Sequence, residues 1–124
     1  TSFFLDTVNV DKNFWGSSLS STHADVQASG KVKVTVPTIN LNRLLYESTI
    51  PADWVIVKMD IEGAEWDILP CMAQSLSSST VDALYMEVHP ASWGMIGTTE
   101  QGLEAAKQVL MAKGVQIPSY FSET

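Results

Sequence analysis

The chain has 124 residues, a length that accommodates one hydrophobic core rather than two. Apolar residues make up 45% and charged residues 17% of the sequence, a globular composition that excludes a disordered chain. Fourteen acidic and seven basic side chains give a net charge of -7, so we expect neither a nucleic-acid partner nor an anionic membrane.

Targeting and cross-linking signals are missing from the sequence. No apolar run approaches the roughly 20 residues that cross a bilayer, and the first residues lack the basic start of a signal peptide. The single cysteine, Cys71, excludes an internal disulfide. We therefore expect a cytoplasmic protein. Because the sequence starts at Thr1 in a strand-like run, without an initiator methionine, we also expect a piece of a longer protein.

The first part of the chain predicts two strands separated by a long loop. Residues 2–10 are rich in Phe and Val, and residues 31–36 alternate polar with apolar side chains, as strands do. Residues 11–30 hold many Ser, Asp and Gly around an aromatic pair, which is typical of a functional or mobile loop. Asn40 then predicts the N-cap of a short helix.

The middle of the chain predicts a buried strand followed by a helix. Residues 54–61 form a nearly continuous apolar run with β-branched side chains, typical of a central strand that is covered on both faces. From Gly63 the apolar spacing becomes helical. Pro70 interrupts this helix and predicts either a kink or a break into two short helices.

The last part of the chain repeats this order. Residues 82–89 predict a second apolar strand, and residues 103–113 have the spacing of an amphipathic helix that Gly114 ends. Residues 115–121 predict a last strand, which Pro118 interrupts.

These strand-then-helix units predict an α/β fold. Three successive units of about thirty residues imply right-handed crossovers and a mostly parallel sheet with helices on both faces. Ligands of such sheets bind beyond the carboxyl ends of the strands. In this chain the rule selects two places, Asp60–Gly63 and Glu87–Pro90.

Asp60 and Glu62 stand two residues apart at the end of a predicted strand. If the strand continues, both carboxylates project from one side, about 6 to 7 Å apart at Cβ. Their repulsion requires a positive group: Lys58, a divalent cation, a cationic substrate group, or the helix N-terminus at Gly63. In the alternative interpretation, Glu62 caps the helix and Asp60 binds nearby amides.

The next strand ends with the same spacing of polar groups, at Glu87 and His89. A histidine beside acids can be a base, a metal ligand or a hydrogen-bonded core residue. No spacing motif such as HExxH or CxxC identifies a metal site. Together the two strand ends predict an oxygen-and-imidazole set for a divalent metal, formed by Asp60, Glu62, Glu87 and His89.

The polar residues outside the two strand ends are interpreted separately from the metal set. Glu65 and Asp67 complement the helix dipole rather than take part in chemistry. His23, in the Ser-rich loop, is interpreted as a bystander. Trp15 and Ser17 belong either to a substrate flap or to a surface turn whose tryptophan fills the core.

The segment WVIVKMDIEGAEWDILP resembles the signature of the FkbM family of S-adenosylmethionine-dependent methyltransferases, a strand that runs into K-x-D-x-E-G-x-E and then a helix. Upstream, VPTINLNRLL resembles the family's val-x-thr-leu-asp-x-leu-leu element, although Asn40 or Asn42 stands where an Asp is usual. Downstream, YMEVHP resembles the next strand. The motif positions are filled by Lys58, Asp60, Glu62, Gly63, Glu65 and Leu69.

This resemblance implies an incomplete Rossmann-like class I methyltransferase fold. Residues 1–124 would form one partial domain, its carboxyl-terminal portion, without the first strands and the glycine-rich cofactor loop. The implied cofactor is S-adenosylmethionine, and the resemblance identifies no residue that binds it. The implied reaction is O-methylation of a sugar or of a small metabolite.

The resemblance also implies roles for the candidate residues. Asp60 is the first candidate for a base or, with Glu62, for a metal ligand, and the other catalytic candidates are Lys58, Glu62 and His89. The candidates for the substrate site are Glu87, Trp15 and Ser17.

Two other functions use the same residues. A magnesium-dependent hydrolase or phosphoryl-transfer enzyme would use the acids as metal ligands, and a non-catalytic module would keep only the fold. For the isolated chain we expect little turnover. We also expect association through an exposed sheet edge.

Overall fold

The computed structural model describes residues 1–78 and 80–120, and helices alternate with strands along them. The strands are β1 (Ser2–Leu5), β2 (Val32–Thr35), β3 (Ile56–Met59) and β4 (Ala83–Met86). The α-helices are α1 (Ala24–Ala28), α2 (Leu41–Ser48), α3 (Glu65–Ser75) and α4 (Glu100–Ala112), and short 3-10 helices cover Val10–Lys12 and Ala91–Trp93. The predicted alternating α/β character is thereby confirmed.

The strands of the described residues form two small sheets instead of one. β3 and β4 run parallel, with Lys58 opposite Tyr85, and α3 lies between them in the chain. β1 and β2 run antiparallel, with Phe3 opposite Val34. The prediction of one mostly parallel sheet is therefore wrong for β1 and β2. Alternation of polar and apolar residues specifies which face of a strand is buried, but not the direction of its neighbour.

β3 is more exposed than its apolar sequence predicts. Ile56 is 57% exposed and the Lys58 side chain 58% exposed, whereas Met59 is 3% exposed. Within residues 1–78 and 80–120, β3 pairs along one edge only, with β4. The prediction of a strand covered on both faces is therefore wrong for this chain. Association through the exposed edge stays a prediction.

α3 is a single helix that continues through Pro70, so the predicted alternative of two short helices is wrong. The proline removes one backbone hydrogen bond and crowds the preceding turn, at a cost of about 3 kcal/mol. Leu69 and Met72 lie on the same helix face and are buried. Each contributes about 1.5–3 kcal/mol of hydrophobic stabilisation, which together offsets the cost of the proline.

The main core joins β3 and β4 to the helices. α3 packs against α4, and α2 contacts α3. The buried side chains of this core come from strands, helices and their connections, and include Leu45, Met59, Leu69, Met72, Leu84, Leu103, Leu110 and Val115.

Two predicted helix ends are confirmed. The Asn40 side chain accepts a hydrogen bond from the Arg43 amide at 3.0 Å, which caps α2. Gly114 adopts φ +93° two residues after α4 ends at Ala112. Of the predicted last strand, Gln116 forms one parallel bridge with Ala83, and Phe121 lies outside the described residues.

The C-terminus of α3 is capped by a lysine from the far end of α4. Lys113 Nζ donates to the carbonyl oxygens of Ala73 at 2.6 Å and Leu76 at 2.8 Å. These carbonyls belong to the group that a helix end leaves without intrahelical partners. A cation at this position also complements the negative end of the helix dipole. The ammonium group thus ties α4 to α3.

Within the described ranges, every helix is too short or too polar to cross a membrane.

Lys113→Ala is expected to lower the free energy of unfolding by about 1.5–3 kcal/mol, because the carbonyls at the end of α3 lose a charged donor. Urea unfolding followed by circular dichroism measures the change. Lys33→Thr, at an exposed position of β2, is the control and is expected to stay within about 0.5 kcal/mol of the parent. Equal stability of Lys113→Ala and the parent would contradict the capping role.

Candidate functional site

A tight turn joins β3 to α3 and carries the first acidic residues of the site. β3 ends at Met59, and both Glu62 (φ +51°) and Gly63 (φ +100°) adopt left-handed conformations. The strand predicted to extend to Ile61 therefore ends earlier, and the condition under which Asp60 and Glu62 would project from one side of it is not met. A left-handed conformation costs a residue with a side chain about 1–2 kcal/mol. Ser18 Oγ donates to the Glu62 carbonyl at 2.6 Å and helps to hold it.

The turn directs its carboxylates towards His89, which follows β4. His89 Nε2 lies 3.5 Å from Glu62 Oε2, 3.8 Å from Asp60 Oδ1 and 3.9 Å from Glu87 Oε1. The His89 side chain is only 10% exposed. The structure thus brings Asp60, Glu62, Glu87 and His89 together, and we call these four residues the acidic cluster.

The acidic cluster has the donor set of a cation site. One ligand atom each from Asp60, Glu62 and His89 lies within 4.8 Å of the others. Glu87 Oε2 is buried and has no hydrogen-bond partner among the described residues. Carboxylate oxygens with an imidazole nitrogen suit a divalent metal. Without a cation, the carboxylates repel one another.

Glu65 takes part in the site, although the sequence assigned it to the helix dipole. Its side chain is fully buried in the first turn of α3. It accepts hydrogen bonds from the Gly63 amide at 3.0 Å and from the His89 amide at 2.7 Å, and Oε1 lies 3.1 Å from His89 Nδ1. A signal was present in the sequence: Glu65 stands four residues before Leu69 and seven before Met72, on the apolar face.

His23 also belongs to the site, so its interpretation as a bystander is wrong. It is 5% exposed, and its Nε2 lies 3.1 Å from Glu62 Oε2. Its Nδ1 accepts the Asp25 amide at 3.1 Å and caps α1. Since 39 residues separate His23 from Glu62, no local spacing could have indicated the contact.

An aromatic ring holds both histidines in place. The Trp93 ring lies 4.0 Å from the His23 ring and is stacked at 5.7 Å on His89, centroid to centroid. Trp93 approaches the turn so closely that a Cβ atom on Gly63 would lie 2.4 Å from the Trp93 Cβ. Only glycine fits at this position, both for its φ and for the space.

Asp6 organises the loop that forms the opposite side of the site. Its fully buried carboxylate accepts the amides of Val8, Asn9 and Gly16 and the side-chain amide of Asn9, at 2.7–3.1 Å. Burial of the carboxylate tends to raise its pKa, but the hydrogen bonds from Asn9, Gly16 and Val8 outweigh burial and lower the pKa below its ordinary value. Asp6 is therefore a charged anchor for the loop.

The two flap candidates lie in this loop. Trp15 is 45% exposed and stacks under Lys12 Nζ, 4.5 Å from its ring centre, so it does not fill the core. Ser17 Oγ donates to the Phe14 carbonyl at 2.7 Å and accepts the Asp6 amide at 2.9 Å. The Ser17 hydroxyl is thus already used inside the loop, whereas the Trp15 ring is available to a ligand.

Lys58 lies at the edge of the site. The Tyr120 side chain raises the pKa of Lys58, the Asp60 carboxylate 3.5 Å from Nζ adds to this effect, and loss of hydration opposes it. Lys58 therefore stays positively charged at neutral pH and cannot accept a proton there. Its role is that of a cation beside Asp60.

A cleft of about 960 Å³ lies between the acidic cluster and the loop. This volume lies at the upper end of the range of small-molecule sites. Among the described residues that line it there is no lysine or arginine side chain. The aromatic side chains of its walls are Phe3, Phe14, Trp15 and Trp93.

Comparison with known protein families shows which family the chain belongs to. The family model of the Methyltransferase FkbM domain matches residues 1–112. The chain belongs to the FkbM methyltransferase family. No curated protein and no solved structure gives a significant match.

The FkbM match begins before β1, ends at the last residue of α4, and includes the whole acidic cluster. The resemblance of the strand-and-turn motif to this family is thereby confirmed. The departure at Asn40 has a structural explanation, because asparagine caps α2 as an aspartate would.

Gly63→Ala is expected to destabilise the FkbM chain by about 3 kcal/mol or more, because it combines an unfavourable φ with the collision against Trp93. Gly97→Ala is the matched control: Gly97 has φ +77°, and a Cβ there has no neighbour within 4 Å. It is expected to cost only about 1–2 kcal/mol. Thermal unfolding measures both, and equal losses would contradict the steric contribution.

Asp6→Asn is expected to lower the free energy of unfolding by about 1–3 kcal/mol at neutral pH. Because the folded pKa lies below the ordinary value of 3.8, the stabilisation by Asp6 is complete above that value and is lost as the pH falls through the folded pKa. The difference between parent and variant should therefore shrink below about pH 4. Urea unfolding at several pH values measures it, with the exposed Asp11→Asn as control. A constant difference would contradict the charged anchor.

Proposed function

We propose that this FkbM chain takes part in transfer of a methyl group from S-adenosylmethionine to a hydroxyl of a sugar or of a small metabolite. The observation that carries the proposal is that the family match over residues 1–112 contains the cleft with the acidic cluster at its base. As the resemblance implies, residues 1–124 would supply the acceptor side of a Rossmann-like class I domain.

The carboxylates of the cleft fit the positively charged sulfonium of S-adenosylmethionine. When bound, this cofactor supplies an electrophilic methyl group on a positively charged sulfur. The buried, unpartnered Glu87 Oε2 faces no competing donor among the described residues, and a cation would relieve the repulsion in the cluster. The carboxylates that line the cleft are Asp25, Asp60, Glu62 and Glu87.

The chain's own residues would then handle the proton of the acceptor. An acceptor hydroxyl loses its proton as its oxygen gains the methyl group, so a base within hydrogen-bond reach is needed. Asp60 remains the first candidate, because it lines the cleft and its side chain is 30% exposed. His89 Nε2, 3.8 Å from Asp60 Oδ1, is the second.

The charge of the cleft favours a neutral acceptor. The described residues that line the cleft include four carboxylates and no lysine or arginine, and Lys58 lies only at the edge, so the cleft repels a phosphorylated or carboxylated substrate. The exposed face of Trp15 suits the apolar face of a sugar ring, which leaves the sugar hydroxyls for the carboxylates. A neutral sugar therefore fits the site better than a phosphate ester.

A divalent cation held by Asp60, Glu62 and His89 is part of the proposal. Calorimetry with Mn²⁺ tests it: Asp60→Asn is expected to weaken binding by about 10-fold or more, since one anionic ligand is lost. Glu47→Gln, on the exposed face of α2, is the control. Absence of Mn²⁺ binding to the parent would exclude the metal and leave the methyltransferase proposal intact.

Asp60→Asn is also expected to lower the kcat of methyl transfer by about 10²–10⁴-fold, with little change in affinity for S-adenosylmethionine, because it removes a proton acceptor. The assay uses the longest natural form of the protein, radiolabelled cofactor and a panel of neutral sugars, with Glu47→Gln as control. Absence of cofactor binding in calorimetry would contradict the proposal. Hydrolysis that needs magnesium and ignores the methyl donor would support the hydrolase alternative.

A further inference from the structure

We propose that Glu65 is a positioning residue that holds a proton on Nδ1 of His89, so that Nε2 presents a lone pair to the cleft. This inference rests on the proposed function of the cleft and assigns a role to a residue outside its lining. Glu65 acts through His89.

The hydrogen bonds of Glu65 determine where the proton lies. A carboxylate only accepts hydrogen bonds, so each group that contacts it must donate. Oε2 accepts the Gly63 amide, and Oε1 accepts the His89 amide at 2.7 Å. An ionised Glu65 therefore requires that His89 Nδ1, 3.1 Å from the same Oε1, carries its proton. The complete burial of Glu65 keeps water from competing for these bonds.

The opposite nitrogen of His89 is then free. A neutral imidazole carries one N–H, so a proton on Nδ1 leaves Nε2 as an acceptor. Nε2 faces oxygens of Glu62, Asp60 and Glu87 at 3.5–3.9 Å. A lone pair against three carboxylates is repulsive until a hydroxyl proton or a cation lies between them. Glu65 thereby makes the cleft receptive to such a group.

Other contacts fix the His89 ring in this orientation. Trp66 Nε1 donates to the His89 carbonyl at 2.8 Å, and Trp93 stacks on the ring. The position of the ring therefore does not depend on Glu65 alone. The identity of the protonated nitrogen does, because Glu65 is the hydrogen-bond partner of Nδ1 among the described residues.

His23 is expected to show the opposite arrangement. Its Nδ1 accepts the Asp25 amide, so its proton lies on Nε2 and is donated to Glu62. His23 and His89 are the two histidines of the sequence. One protein thus contains an internal reference for each of the two neutral forms.

A matched control lies in the same helical turn. Asp67, two residues after Glu65, also accepts backbone amides of the segment after β4, from Met95 at 2.8 Å and Ile96 at 2.9 Å. Within the described part of the chain, the Asp67 carboxylate has no hydrogen bond with an imidazole. Asp67→Asn therefore removes a comparable structural contact without changing the partner of Nδ1.

Long-range ¹H–¹⁵N NMR of the ¹⁵N-labelled chain tests the inference at about pH 8.5, where an unperturbed imidazole is neutral. The expected spectrum shows the Nδ1–H form for His89 and the Nε2–H form for His23. The His23→Gln variant identifies the signals of His23, because they disappear from its spectrum. An Nε2–H form, or a doubly protonated ring, at His89 would overturn the inference. This measurement needs no Glu65 variant, so a failure of a variant to fold does not affect it.

Glu65→Gln provides the second arm of the test. Glutamine keeps only one acceptor oxygen, and its NH2 group donates to Nδ1 when it faces His89, so His89 is expected to shift towards the Nε2–H form, while Asp67→Asn leaves it unchanged. Retention of the Nδ1–H form in Glu65→Met, whose side chain offers Nδ1 no oxygen acceptor, would overturn the inference. In the methyl-transfer assay, kcat should fall by about 10–100-fold in Glu65→Gln, with the KM for S-adenosylmethionine unchanged.

The role of Glu65 and the methyltransferase function can each be refuted independently of the other. Opposite forms of the two histidines without cofactor binding would support the role of Glu65 and reject the methyltransferase function. Cofactor binding with the Nε2–H form at His89 would reject the role of Glu65 alone.

Discussion

The left-handed turn at Glu62 and Gly63 is the constraint on which the site depends. It follows the end of β3 at Met59, leads into α3 at Glu65, and turns the carboxylates of Asp60 and Glu62 towards the end of β4. A glutamate in this conformation is unfavourable by itself. The hydrogen bond from Ser18 and the contact of Trp93 against Gly63 supply the tertiary interactions that hold it.

The turn also concentrates charge in a place that excludes much of the solvent. Carboxylates approach His89 from both ring nitrogens, and Glu62 is shared between His89 and His23. Such crowding is unfavourable without hydrogen-bond donors, and among the described residues the backbone donates to Glu65 alone of these carboxylates. The remaining carboxylates face the cleft, where a substrate, cofactor or cation can satisfy them. The structure therefore combines a fixed inner carboxylate with outer carboxylates that are open to ligands.

The loop between β1 and β2 closes the other side of the cleft. The charged carboxylate of Asp6 accepts amides of Val8 and Gly16 in the first half of the loop and fixes the segment that presents Trp15. The same loop supplies Ser18 and His23 to the turn. It is thus both a wall of the cleft and a support of the acidic cluster, which gives its polar composition a structural reason.

The sequence alone determined the alternating helices and strands, the cap at Asn40, and the family, because these depend on local spacing and on a contiguous motif. It also indicated that Asp60, Glu62, Glu87 and His89 lie at strand ends. Only the tertiary structure decided the antiparallel pairing of β1 with β2, the contact of His23 with Glu62, and the burial of Glu65 against His89. These features depend on contacts between residues 24 or more positions apart, which no local pattern of side chains encodes.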